Sequence, residues 1–157
     1  MSLSSQKLHL RPANDQDCQL LWEWVNDPEV RKASFSSEII PWETHKTWFL
    51  NKLENPNSFI FIAIDEHENP VGQIRFDLRE DNNAEIDISI APTERGQGYG
   101  FIVLKQGLET LFNQTKIETV TAWIKAKNLS SQQIFQKAGF IEINQNRKGN
   151  FAYQYRK

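Results

Sequence analysis

The chain has 157 residues, the length of one ordinary domain, and 39% of them are apolar, enough for a packed core. A formal charge of −2 excludes a broad basic surface for nucleic acid or membrane, and the single cysteine, Cys18, excludes an intramolecular disulfide framework. The polar opening "MSLSSQK" does not read as a signal peptide and no apolar run nears the roughly 20 residues of a bilayer span, so the expectation is one cytoplasmic domain over 1–157.

A first short strand is expected at Lys7–Arg11. Asn14 or Asp15 then offers a helix cap, and Cys18, Leu21, Trp22 and Val25 follow at the spacing of one helical face, with Asp27-Pro28 closing that helix. A second helix is expected in "SSEIIPWETHKTWFLNKLENP", with Pro41 suited to its first turn and Asn55-Pro56 beyond its end. "SFIFIAID" (58–65) is a continuous apolar run, the mark of a strand covered on both faces. In "VGQIRFDL", Ile74, Phe76 and Leu78 point inward against Gln73, Arg75 and Asp77. "AEIDISIA" (84–91) alternates strictly, with Ile86, Ile88 and Ile90 opposite Glu85, Asp87 and Ser89. These three strands, joined by short turns, make an antiparallel meander. "FIVLKQGLETLF" reads as a buried helix, and Ile117–Ile124 as a strand that returns parallel to 84–91. Ser131, Ile134, Phe135 and Ala138 mark a last helix stopped at Gly139, before two closing strands in "GFIEIN" and "FAYQYRK". The fold class is therefore mixed α/β (α+β): about seven strands, four helices, and one parallel crossover.

Three of only seven glycines fall in "ERGQGYG" (94–100), between a strand and the helix that it feeds. A helix start presents unpaired N–H groups and the positive end of a dipole, and glycine lets backbone approach an anion closely. A diphosphate cradle is one reading; a tight, closely packed strand-to-helix turn is the other. No Lys-Ser or Lys-Thr follows the last glycine, so this is not a nucleotide-triphosphate loop, and the glycine spacing is not that of dinucleotide-binding folds.

"RGQGYG" (95–100) after "ISIAP" resembles the acetyl-CoA-binding motif of the GNAT N-acetyltransferases, and "NLSSQQIFQKAGF" (128–140) resembles their second signature. The order of strands and helices is similar as well. The resemblance implies an acetyl-CoA-dependent N-acetyltransferase in which Arg95, Gly96, Gln97, Gly98, Tyr99 and Gly100 form the cofactor turn. By the same resemblance the strand near Ile90 pairs with the pantetheine arm where two parallel strands splay apart. Asn128 bonds that arm, and Phe135 lines its path. Phe135 stands where many members carry a tyrosine acid, so no general acid is assigned. Glu85 matches an acidic position of related transferases and is the candidate base, with Asp87 in reserve; both are also what the polar face of a strand would carry. No Asp, Glu or His cluster has metal-ligand spacing, and no metal is expected.

"LLWEWVNDPEVRKASF" followed by "HKTWF" resembles the transferases that acetylate the 4-amino group of UDP-linked deoxy sugars in pseudaminic-acid-type biosynthesis. This implies acceptor contacts from Trp24, Asn26, Arg31 and His45, although Val25 stands where that pattern has arginine. Trp22 falls on the apolar stripe of its helix and Trp24 off it, so Trp22 is the expected core residue and Trp24 the expected ligand platform. For His45 three readings stand: a contact to substrate phosphate, a base, or a solvated helix residue. Acetylation of protein N-termini, a non-catalytic acyl-CoA-binding module and a phosphate-binding module remain alternatives. Similar proteins are often dimers, so a homodimer is a further expectation.

Overall fold

Alternating and continuous apolar runs become strands of one sheet. The computed structural model describes residues 7–147 and 149–157. Its strands are β1 (Leu8–Pro12), β2 (Ser58–Asp65), β3 (Pro70–Leu78), β4 (Asn83–Ile90), β5 (Thr119–Lys125), β6 (Ile141–Arg147) and β7 (Asn150–Arg156), in the order β1-β2-β3-β4-β5-β7-β6. β4 and β5 are the one parallel neighbour pair among the described residues; the other neighbours are antiparallel. The helices are α1 (Cys18–Val25), α2 (Pro28–Ala33), α3 (Trp42–Glu54), α4 (Tyr99–Gln114) and α5 (Leu129–Lys137).

β2 is apolar from Phe59 to Ile64 because both of its faces are covered. Ile60, Ile62 and Ile64 pack with Leu21 and Trp24 of α1 and Phe49 of α3. Phe61 and Ala63 join the larger core on the other face with Val103, Leu104 and Leu108 of α4 and Phe135 of α5. α1 and α3 leave β4, β5 and β7 largely uncovered on their side, and the polar residues of those strands collect there.

Two expectations are corrected. Among the described residues five α-helices replace four, because Asp27-Pro28 both ends α1 and starts α2. The Asp27 carboxylate accepts the Glu29 N–H, and Pro28 occupies the first turn, where a missing N–H costs nothing. Gln73 and Asp77 are buried where a solvent-facing side was expected. Asp77 holds Lys52 at 2.8 Å, Arg75 at 2.9 Å and Ser58 at 3.0 Å, so the burial is satisfied by charge and hydrogen bonds. Burial alone would raise its carboxyl; these partners hold it below the usual range.

Candidate functional site

The parallel pairing of β4 with β5 is short. It joins Asn83 with Thr119, Ala84 with Val120, and Glu85 with Thr121, and stops there. Beyond it, β4 stays paired with β3 as far as Ile90, and β5 pairs with β7 on its far side. A gap therefore opens between Ile86–Ile90 of β4 and the second half of β5, with a row of β4 main-chain groups on its edge.

The glycine turn closes the end of this gap. After Ile90 the chain makes a 3-10 turn (Pro92–Glu94) and reaches α4 through Gly96 at φ 81° and Gly98 at φ 82°. Both positions are left-handed, which a side chain makes costly, and Gly98 is the N-cap of α4. Among the described residues no hydrogen bond takes the N–H of Gly96, Gln97 or Gly98. Gly100 has a separate reason: a Cβ there would lie 3.3 Å from the Ile134 side chain and 3.8 Å from Ile90, where α4, α5 and β4 converge. Beside the turn, the Tyr99 phenol is pushed up by burial and by the carboxylates of Glu94, Asp65 and Glu66.

α5 bounds the gap from the α4 side. Asn128 caps it: its side-chain oxygen accepts the Ser131 N–H at 3.2 Å and the Ser130 hydroxyl at 3.3 Å. Phe135 is buried and meets Phe140 edge-on, with centroids 4.9 Å apart.

The opposite side of β4 carries the polar face. Glu85 lies 3.4 Å from the Arg79 guanidinium and is partly exposed. With Asn83, Thr119, Thr121, Trp123 and Gln154 it lines an open cavity of about 1140 Å³ over the paired ends of β4 and β5. Asp87 accepts from the Gln73 amide at 2.9 Å, and the same amide reaches Ser89 at 3.1 Å. The cavity borders Glu85 and does not extend to the glycine turn.

The acceptor-side residues singled out from the sequence are fastened to the protein itself. Trp24 is 8% exposed and in the core, whereas Trp22 is only partly buried and gives its indole N–H to the Ile40 carbonyl. The burial expected for the two tryptophans is thus reversed, because Trp24 packs with Ile60, Ile62 and Ile64 of β2 and Trp22 bonds to the segment before α3. Asn26 bonds both the N–H and the C=O of Ile40. Arg31 is buried and donates to the carbonyls of Val25, Ser36 and Glu38 and to the Ser34 hydroxyl. His45 is 3% exposed, not solvated: its Nε2 pairs with the Cys18 carbonyl at 3.0 Å and its ring stacks on Phe49. Burial holds its imidazole below the ordinary value.

The structure therefore gathers Ile90, the turn from Arg95 to Gly100 and α5 around one gap, with Glu85 at the gap's base. It also brings in a residue that the sequence reading missed. Asp27 holds Arg95 at 2.8 Å, from 68 positions away. The Asp-Pro cap signal located Asp27 on the chain, but no local pattern pairs it with Arg95.

A family model described as an acetyltransferase (GNAT) domain matches residues 7–141. The acetyltransferase PseH of Campylobacter jejuni is 24% identical over 127 residues, covering 81% of this chain and 78% of its own. Among solved structures, a domain from Methanocaldococcus jannaschii has a TM-score of 0.86 at 24% identity, covering 98% of this chain and 100% of that one. Spermidine N-acetyltransferase from Vibrio cholerae, solved with CoA and spermine, has a TM-score of 0.83 at 16% identity, covering 94% and 92%.

Proposed function

We propose, for a chain that belongs to the GNAT acetyltransferase family, that it moves acetyl from acetyl-CoA to a primary amine, the 4-amino group of a UDP-linked deoxy amino sugar, by direct transfer in a ternary complex. The observation that supports the acetyl-CoA site is the short β4–β5 ladder, which ends at Glu85 and Thr121 beside a glycine turn with unengaged N–H groups. Those features fit the two ends of one elongated ligand. The N–H groups from Gly96 to Gly100 suit its diphosphate, and the open edge of β4 up to Ile90 suits its amide-bearing arm. Arg95, Gln97 and Tyr99 are assigned to the phosphates, the Asn128 amide nitrogen, which the helix cap leaves unused, is assigned to the arm, and Phe135 supplies apolar wall. The resemblance of the stretch from Leu20 to Phe35 to the sugar-nucleotide transferases supports that acceptor; the similarity to the acetyltransferase PseH supports acetyl transfer, and the Vibrio cholerae structure, solved with CoA and spermine, supports an amine acceptor.

Bound acetyl-CoA supplies an activated thioester carbonyl. An amine needs to be held against such a carbonyl as the free base, so the protein's tasks are alignment and proton removal. Glu85, partly exposed at the base of the gap, takes the ammonium proton through water; Arg79 keeps its carboxylate oriented. Phe135 has no proton to give, and a thiol of pKa about 8.5 leaves as thiolate without help from that position. Trp24, Asn26, Arg31 and His45 act here as the frame of the acceptor side: the packing of Trp24 and the bonds of the other three fix α1, α2 and the segment up to Ile40 as a wall. The buried free thiol of Cys18 accords with a cytoplasmic setting.

The test is acetyl-CoA consumption over a panel of amines: a UDP-4-amino-deoxy sugar, spermidine, an aminoglycoside and peptides with free N-termini. Turnover with the UDP sugar at a kcat/KM at least tenfold above the others supports the reading. Preference for a peptide or polyamine overturns the acceptor, and CoA binding without turnover on any amine overturns the enzyme.

A further inference from the structure

We infer that α2 is a strap across the open ends of β4 and β5, and that Asp27 positions it by acting through Arg95. α2 is fastened at both edges of the gap. At its start, the Asp27 carboxylate caps the helix by accepting the Glu29 N–H at 3.1 Å and also binds Arg95, which follows the end of β4. At its other end, the carbonyl of Lys32 accepts the ammonium of Lys125, the last residue of β5, at 2.9 Å. The buried Arg31 ties α2 to the Ser34–Glu38 segment through its bonds to Ser34, Ser36 and Glu38, so the strap and that segment form one piece.

Arg95 belongs to the glycine turn, which places the pair at a junction. The inference rests on reading that turn as a diphosphate cradle. A diphosphate there sets its negative charge beside Arg95, whose guanidinium can bridge phosphate and Asp27 with separate N–H groups. Filling the cradle then fixes Arg95, Arg95 fixes Asp27, and the strap tightens over the gap. Asp27 touches neither substrate nor cofactor; it is a positioning residue. Asn at position 27 keeps the helix cap, because Asn and Asp cap equally well, and removes the charge that holds Arg95. It therefore separates the coupling from the folding of α2.

The experiment is amide hydrogen exchange of the peptide spanning 28–40, with and without saturating CoA, alongside a direct CoA binding isotherm. In the wild-type chain CoA slows exchange there roughly fivefold or more. In Asp27→Asn, CoA still binds, and the slowing falls to less than about twofold. Arg95→Gln, measured at saturating CoA, gives the same loss, and the double variant adds nothing further. Unchanged slowing in Asp27→Asn, or no slowing in wild type while CoA binds, overturns the strap and leaves the cradle standing. Failure of CoA to bind the wild-type chain removes the cradle, and the strap with it.

Discussion

Gly98 carries two constraints that can be separated. Its φ of 82° disfavours any side chain, and among the described residues its N–H has no acceptor, as an assigned diphosphate contact requires. Asn tolerates the left-handed conformation better than most residues, so Gly98→Asn bears mainly the steric burden, whereas Gly98→Asp adds a negative charge. The expected result by calorimetry is a loss of CoA affinity of about tenfold for Asn and at least about a hundredfold for Asp, with circular dichroism unchanged. Equal losses would contradict the charge argument. Glu85 is tested by Glu85→Gln: kcat at pH 7 falls by about 10²–10³ while the CoA dissociation constant stays within twofold. An unaltered rate removes Glu85 from the proton transfer. The places of Glu85 on β4 and of Gly98 in the turn before α4 were both legible in the sequence, because alternation and glycine spacing are local signals. The burial of Trp24, Arg31 and His45 was not legible, because a polar or aromatic side chain looks the same in a sequence whether it meets a ligand or the protein's own interior.

At the scale of elements, the seam between α1 and α3 depends on pH through His45. Its imidazole is buried, stacked on Phe49 and bonded to the Cys18 carbonyl, and burial holds its pKa below the unfolded value. The unfolded chain therefore binds a proton that the folded chain refuses. This contribution is fully present above about pH 6.5 and is lost as the pH falls through the unfolded value toward the lower folded one. The urea midpoint of the wild-type chain is expected to drop between pH 7.5 and 5.5. In His45→Gln, which keeps a donor for the carbonyl but cannot titrate, the drop is smaller. Identical slopes in the two proteins would contradict the assignment. The helix that the sequence reading missed, α2, shows the limit of local rules at this scale. Pro28 was taken as a stop because proline ends helices, yet proline is equally suited to a first turn, and only the Asp27 cap geometry decides between them.

For the whole molecule, the strand order follows from physical regularities that a sequence displays. A doubly covered β2, an alternating β4 and one strand–helix–strand return leave few ways to build the sheet, and the seven-stranded mixed sheet agrees with them. The length of the β4–β5 ladder was not legible. Both strands continue past Glu85 and Thr121 without pairing further, and no local pattern in either strand marks that point. That divergence is the feature on which the functional account depends. A crystal structure with bound coenzyme A tests it most directly. The account predicts a diphosphate within hydrogen-bond distance of the N–H groups from Gly96 to Gly100, and a pantetheine arm lying along Ile86–Ile90 between β4 and β5. A coenzyme A molecule found elsewhere, with the gap empty and β4 still paired only with β3 at those residues, would contradict it.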